Sequence, residues 1–195
     1  MLVGIMGGTF DPIHTGHLIA AERARVEADL AEVWLMPANV PPHKPNAPKA
    51  TTKQRWEMVC LAAEGNPFFR PVDIEINKGG VSYSIDTIEL LSKEYPGTEF
   101  AYIIGADMVQ YLPQWHRIDD IVRHIRFIGL ARPGYELDLS HMPINIRNRV
   151  TIVPMPLVEI SSTAIRNERQ RNGSVRYLVP DAVNGYMEVN RLYES

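Results

Sequence analysis

Leu2-Val3-Gly4-Ile5-Met6-Gly7-Gly8-Thr9-Phe10-Asp11-Pro12-Ile13-His14-Thr15-Gly16-His17 is the stretch from which the fold can be read. Leu2–Met6 is a short apolar run that stops at a glycine pair, as a strand buried on both faces would. The glycines allow a tight turn and close backbone approach to a ligand, and Pro12 stiffens the loop. A helical pattern then starts near Gly16, with Ile19, Val26 and Leu30 expected on its apolar face. Strand, glycine turn and helix in that order open a βαβ unit.

The alternation continues along the chain. Val33–Met36, Phe69–Ile76, Phe100–Ile104, Phe127–Ala131 and Val150–Val153 read as further strands. Helices are expected where Trp56, Val59, Cys60 and Ala63 recur at helical spacing, with Thr51 or Thr52 as N-cap, and over Ser84–Glu94, Thr163–Arg171 and Asp181–Asn190. Cys60, Trp34 and Trp56 are expected in the core. The fold class is α/β, a Rossmann-like and mostly parallel sheet with helices on both faces. Ligands of such sheets bind beyond the carboxyl ends of the strands, near the point where strand order reverses. Pro37–Pro48 and Arg132–Asn145 read as long surface loops, and loops of that length are often functional.

Composition narrows the function. The chain has 195 residues, 45% of them apolar, and a net charge of −3. A mildly acidic chain is a poor nucleic-acid binder, whereas a few local cations still suffice for small anions. One cysteine excludes an intramolecular disulfide and suits a reducing, cytoplasmic compartment. There is no signal-peptide pattern and no apolar run near the ~18 residues of a membrane helix, so neither nucleic acid nor membrane is an expected partner. A homo-oligomer is compatible with the sequence.

His14 and His17 lie three apart where the first helix starts, so both imidazoles share one side of it. The helix end adds unpaired N–H groups and a positive dipole end, which together suit phosphate. Rival motifs fail. Gly4, Gly7 and Gly8 do not form G-x-G-x-x-G, no Gly-Lys-Ser/Thr occurs, and no Glu stands between the histidines as in H-E-x-x-H. Near the other end, Ile160-Ser-Ser-Thr-Ala-Ile-Arg166 offers Ser161 or Ser162 as N-cap, with Arg166 one turn in and able to reach back as a planar fork. Read alone, it is better explained as a capped surface helix with a solvated arginine.

Together, Gly7–His17 and Ile160–Arg166 resemble the nucleotidyltransferase superfamily with T/H-x-G-H and I-S-S-T-x-x-R motifs. With His at position 14, the chain is similar to the bacterial nicotinate-nucleotide adenylyltransferases. Pro41-Pro-His-Lys44, Ser82–Thr87, Ile104-Gly-Ala-Asp107, Trp115, Arg132-Pro-Gly and Tyr177-Leu-Val-Pro180 fit in the same order. The resemblance implies a single nucleotidyltransferase domain over residues 1–195, with the helical part from about 160 packed on it. It implies transfer of AMP from ATP to nicotinic acid mononucleotide in NAD biosynthesis, giving deamido-NAD and pyrophosphate. It assigns catalysis to His14, His17 and Arg166. It assigns ATP binding to those three with Gly8, Thr9, Phe10, Gly105, Asp107, Ser161, Ser162 and Thr163. Asn39, His43, Lys44, Thr87, Trp115 and Arg132 are its candidates for the acceptor, Trp115 as a platform for the pyridine ring. Mg2+ is expected on the ATP phosphates, without a dedicated carboxylate cage. The phosphopantetheine-adenylylating sibling usually has Thr where His14 stands. A regulatory module without catalysis is the rival of a different class, and intact His14, His17 and Arg166 speak against it.

Overall fold

The computed structural model describes residues 1–40, 47–134 and 137–194. His43 and Lys44 lie outside them. In chain order the elements are β1 (Leu2–Gly8), α1 (Thr15–Glu27), β2 (Glu32–Pro37), α2 (Thr52–Ala63), β3 (Phe69–Pro71), α3 (Ile74–Lys78) and α4 (Ser84–Glu94). They continue as β4 (Glu99–Gly105), α5 (Ala106–Val109), α6 (Ile118–His124), β5 (Ile125–Ala131), α7 (Ile144–Arg147), β6 (Val150–Pro154), α8 (Ser162–Gln170) and α9 (Asp181–Val189).

The six strands form one parallel sheet in the order β3-β2-β1-β4-β5-β6. This is the doubly wound Rossmann arrangement, and its order reverses between β1 and β4. Side chains alternate between two cores. Met6, Val33, Leu35, Ala101, Ile103, Ile128 and Leu130 face the layer of α1, α2, α8 and α9. Val3, Ile5, Trp34, Met36, Phe100, Tyr102 and Phe127 face the layer that includes α4 and α6. Burial on both faces is why these strands are apolar runs rather than alternating patterns. Ile165, Val175, Val179, Val183, Met187 and Leu192 join the first core, so the segment from 160 onward packs directly against the sheet layer.

Three details of the sequence reading need correction. The third strand ends at Pro71, because the chain turns and residues 74–78 form α3. The buried face of α1 is Gly16, Ala20, Ala21 and Ala24, while Val26 is exposed. Small residues let that helix lie close to the sheet. Leu30 reaches the core from beyond the helix, after Asp29 turns the chain at φ 50°. On α2 the buried set is Arg55, Met58, Val59, Ala62 and Ala63, so Trp56 and Cys60 are only half-buried. The N-cap is Thr51, in a reciprocal pair with Gln54: the Gln54 N–H donates to Thr51 Oγ1 and the Thr51 N–H to Gln54 Oε1.

Candidate active site

A cleft of about 1580 Å3 opens outside the carboxyl ends of β1 and β4, at the reversal of strand order. The loop after β1 forms its floor. Phe10 is buried there with φ 49°, a left-handed conformation that a bulky side chain rarely takes, and its ring meets His17 edge-on. Gly8 is required beneath it, since a Cβ there would lie 2.9 Å from the Phe10 ring.

His14 is the N-cap of α1. Its backbone N–H donates to His17 Nδ1 at 3.2 Å, and the two rings stack with centroids 3.6 Å apart. The accepted hydrogen bond leaves the His17 proton on Nε2, so the neutral tautomer is a donor at that atom. His14 is buried, and its Nδ1 has no hydrogen-bond partner among the described residues. Desolvation lowers its pKa to about 4, so the ring is uncharged near neutral pH. An uncharged His14 ring carries no charge to repel its stacked neighbour at this separation.

That burial predicts a pH effect with a definite sign. Between the ordinary value of 6.5 and the folded value of about 4, the unfolded chain binds a proton that the folded chain excludes. The His14 contribution is therefore complete above pH 6.5 and is lost as pH falls towards 4. Urea denaturation of wild type and His14→Asn at pH 7 and pH 5 should show roughly 2 kcal/mol less acid loss in the variant. Equal losses would place the His14 ring in contact with water.

The opposite wall is the start of α8. The Ser161 hydroxyl accepts from the Ala164 N–H, and the Ser162 hydroxyl donates to the Pro12 carbonyl at 2.9 Å, which docks α8 on the loop after β1. Arg166 Nη1 donates to the Asp11 carbonyl at 2.7 Å and Nη2 to Thr163 Oγ1 at 3.2 Å. Two helix N-termini, those of α1 and α8, thus border the same cleft and add positive potential in a chain of net negative charge. Leu130, Met155, Val158 and Ile160 make an apolar wall. The cleft can take phosphates at the helix ends and a flat base on that wall.

Of the residues expected at the site, the structure brings Gly8, Thr9, Phe10, His14, His17, Gly105, Asp107, Arg132, Ser161, Ser162, Thr163 and Arg166 to this cleft. Gly105 lies under the Asp107 carboxylate, where a Cβ would come within 2.4 Å of Oδ1. Three others lie outside its lining. Thr87 is fully buried, its hydroxyl donating to Glu75 Oε1 at 2.8 Å and its N–H to the Tyr83 carbonyl. Burial raises the Glu75 pKa above the ordinary carboxylate value. Trp115 is half-buried, packed edge-on against Tyr102 and Phe127. Asn39 ties two loops together, its N–H donating to Ser82 Oγ and its Nδ2 to the Gly80 carbonyl.

Sequence reasoning passed over three residues that hold the site together. Asp11 accepts from the N–H groups of Lys49 and Ala50. Tyr193 donates to Asp11 Oδ1. Arg55, only 1% exposed, donates to the carbonyls of Thr9, Ala38 and Asn39. Lys49 also lines the cleft. Asp11 was visible in the quoted stretch; the other two carry no local signal.

Fold and cleft together define a Rossmann-like nucleotide-handling protein, and comparison with known proteins makes the class specific. Residues 5–168 match the cytidylyltransferase-like family, so the chain belongs to that class of nucleotidyltransferases. A probable nicotinate-nucleotide adenylyltransferase of Bacillus pumilus is 44% identical over 99% of this chain and 98% of its own. The nicotinate-nucleotide adenylyltransferase of Bacillus subtilis is 41% identical over the same shares. The chain is a member of the nicotinate-nucleotide adenylyltransferase family. In fold it resembles the Plasmodium falciparum nicotinic acid mononucleotide adenylyltransferase complexed with NaAD, with a TM-score of 0.78 at 17% identity, covering 98% of this chain and 97% of that one. No helix among the described residues is long and apolar enough to cross a membrane.

Proposed function

We infer that this chain transfers the adenylyl group of ATP to nicotinic acid mononucleotide, forming deamido-NAD and pyrophosphate, as a cytoplasmic step of NAD biosynthesis. The observation that carries the reading is the stacked His14–His17 pair at the start of α1, lining one cleft together with Arg166 and the first turn of α8. In this reaction an oxygen of the mononucleotide phosphate attacks the α-phosphorus of ATP. A new P–O bond forms, the bond from the α-phosphorus to the bridging oxygen breaks, and pyrophosphate leaves with that electron pair. The acceptor phosphate is already ionised near pH 7, so no protein nucleophile and no strong base are needed. The hydroxyls of Ser161 and Ser162 are engaged in capping and docking α8, which agrees with roles in binding rather than attack.

The obstacle is the approach of two anions and the charge that grows on the leaving group. Donors placed in advance lower it by positioning and by electrostatic stabilisation. His17 Nε2–H and His14 are assigned to the phosphates at the reacting centre, and Arg166, Thr163 and the first turn of α8 to the β- and γ-phosphates. Imidazole, hydroxyl and guanidinium donors suit phosphate oxygens, and no group of three His, Cys, Asp or Glu side chains clusters among the described residues. Mg2+ is proposed to arrive on the triphosphate, where it neutralises charge. Arg132, at the end of β5 in the cleft, is the described candidate for the acceptor side.

The test is pyrophosphate release from ATP and magnesium with nicotinic acid mononucleotide, nicotinamide mononucleotide or phosphopantetheine offered separately. Strong release is expected with the first. Preference for the second would keep the chemistry and change the acceptor. Release only with the third, or with none, would overturn the reading.

A further inference from the structure

Asp11 is the hub of a buried cluster that joins parts of the chain far apart in sequence. Its Oδ2 accepts from the Lys49 N–H at 2.8 Å, and its Oδ1 from the Ala50 N–H at 3.0 Å and the Tyr193 hydroxyl at 2.7 Å. Arg166 Nη1, bonded to the Asp11 carbonyl, also lies 3.9 Å from Oδ2. One residue thus receives the guanidinium through its backbone and its charge, while its carboxylate is held by three donors from elsewhere.

Tyr193 is placed there at some conformational expense. Arg191 and Tyr193 both have left-handed backbones, with φ 50° and 62°, which non-glycine residues adopt only where the surroundings over-determine them. Those surroundings are specific. Leu192 is buried in the core and its N–H donates to the Met187 carbonyl, and Glu194 pairs with Arg169. Burial and the neighbouring Asp11 push the Tyr193 phenol well above its ordinary range, so it stays protonated and donates.

We propose that Tyr193 is a positioning residue for Arg166: its hydroxyl fixes Asp11, whose backbone carbonyl accepts from Arg166 and whose carboxylate lies 3.9 Å from the guanidinium, at the phosphate side of the cleft. This rests on the reading of Arg166 as a phosphate ligand. Tyr193 is not part of the cleft lining. Without its hydroxyl the carboxylate keeps the two backbone donors but loses the contact that fixes Oδ1 from the side of residue 193. Arg166 then becomes less ordered before ATP arrives, and binding must supply that order.

The test is calorimetric binding of ATP with magnesium and no acceptor, on the full chain. Tyr193→Phe removes one oxygen and keeps the ring. It should raise the Kd for ATP about fivefold, the scale of one net hydrogen bond. Arg166→Ala should raise it further, and the double variant should bind no more weakly than Arg166→Ala, because Tyr193 acts on ATP only through the guanidinium that Arg166→Ala already removes. Glu194→Gln loosens the same segment without touching Asp11; it should lower Tm and leave ATP affinity at the wild-type value. Wild-type affinity in Tyr193→Phe, additive losses in the double variant, or an equal loss in Glu194→Gln would each overturn the proposal. Failure of the wild-type chain to bind ATP would instead remove the reading of the site on which it rests.

Discussion

His17→Ala should lower kcat for pyrophosphate release by about 100- to 1000-fold, the loss seen when one preorganised donor to a developing oxyanion is removed. The expectation follows from the tautomer. His17 Nδ1 already accepts the His14 N–H, so the donor is Nε2–H, and the ring is held by stacking on His14 and by the edge of Phe10. A donor fixed in this way needs no reorganisation as charge moves onto the leaving pyrophosphate. Alanine also removes the acceptor for the His14 N–H, a net cost of about 1 kcal/mol. His17→Asn separates the two effects, because an amide oxygen can still take that N–H while no donor reaches as far as Nε2. It should keep the wild-type Tm and lose nearly as much rate as alanine. An asparagine variant turning over at the wild-type rate would move the transition-state donor to another residue.

Much of this was legible in the sequence because local signals and the global fold agreed. The apolar runs that became β1, β2, β4, β5 and β6 are buried on both faces, and the glycine pair after the first of them marks the place where a ligand can approach. Ser84–Glu94 is helical to the residue, and Ser161, one of the two N-cap candidates, caps α8, which begins one residue before the expected Thr163. Errors came where packing overrode pattern. The run Phe69–Ile76 has β-branched residues at strand-like spacing, yet Ile74 is buried as part of a short helix against β2, not as an extension of β3. Thr87 and Trp115 are a separate matter: expected at the acceptor from their motif neighbours, they lie beside the described cleft, where Thr87 completes the hydrogen bonds of a buried glutamate and half-buried Trp115 packs on two rings.

The larger omission was polar. Arg55 sits one position before the apolar residue Trp56, and helical periodicity assigns such an arginine to solvent. Its partners are carbonyls up to 46 residues away, and Asp11 and Tyr193 meet across 182. Nothing in the local spacing of charges reports such pairings.

Arg55→Met tests what that omission hid, and it should be the most destabilising single change at the site. Arg55 Nη1 donates to the Thr9 carbonyl at 2.8 Å and the Ala38 carbonyl at 2.7 Å, and Nη2 to the Asn39 carbonyl at 3.1 Å. One planar fork thereby ties the loop after β1 to the loop after β2. Burial disfavours its charge and lowers its pKa, against the opposing influence of nearby Asp11. Methionine keeps most of the apolar volume but supplies no donor, so three carbonyls lose their partner and Asp11 loses a compensating charge. Removing one member of a buried charged network costs about 3–5 kcal/mol, and urea denaturation at pH 7 should show a loss of that size. Arg55→Lys should fall between the two, because a point charge cannot reach three carbonyls in a fixed fork. Turnover should fall in both variants even below their unfolding temperatures, since Thr9 and Phe10 belong to the floor on which the phosphates are read. A loss under about 1 kcal/mol in Arg55→Met would mean that water replaces the guanidinium, and that the two loops hold their places without it.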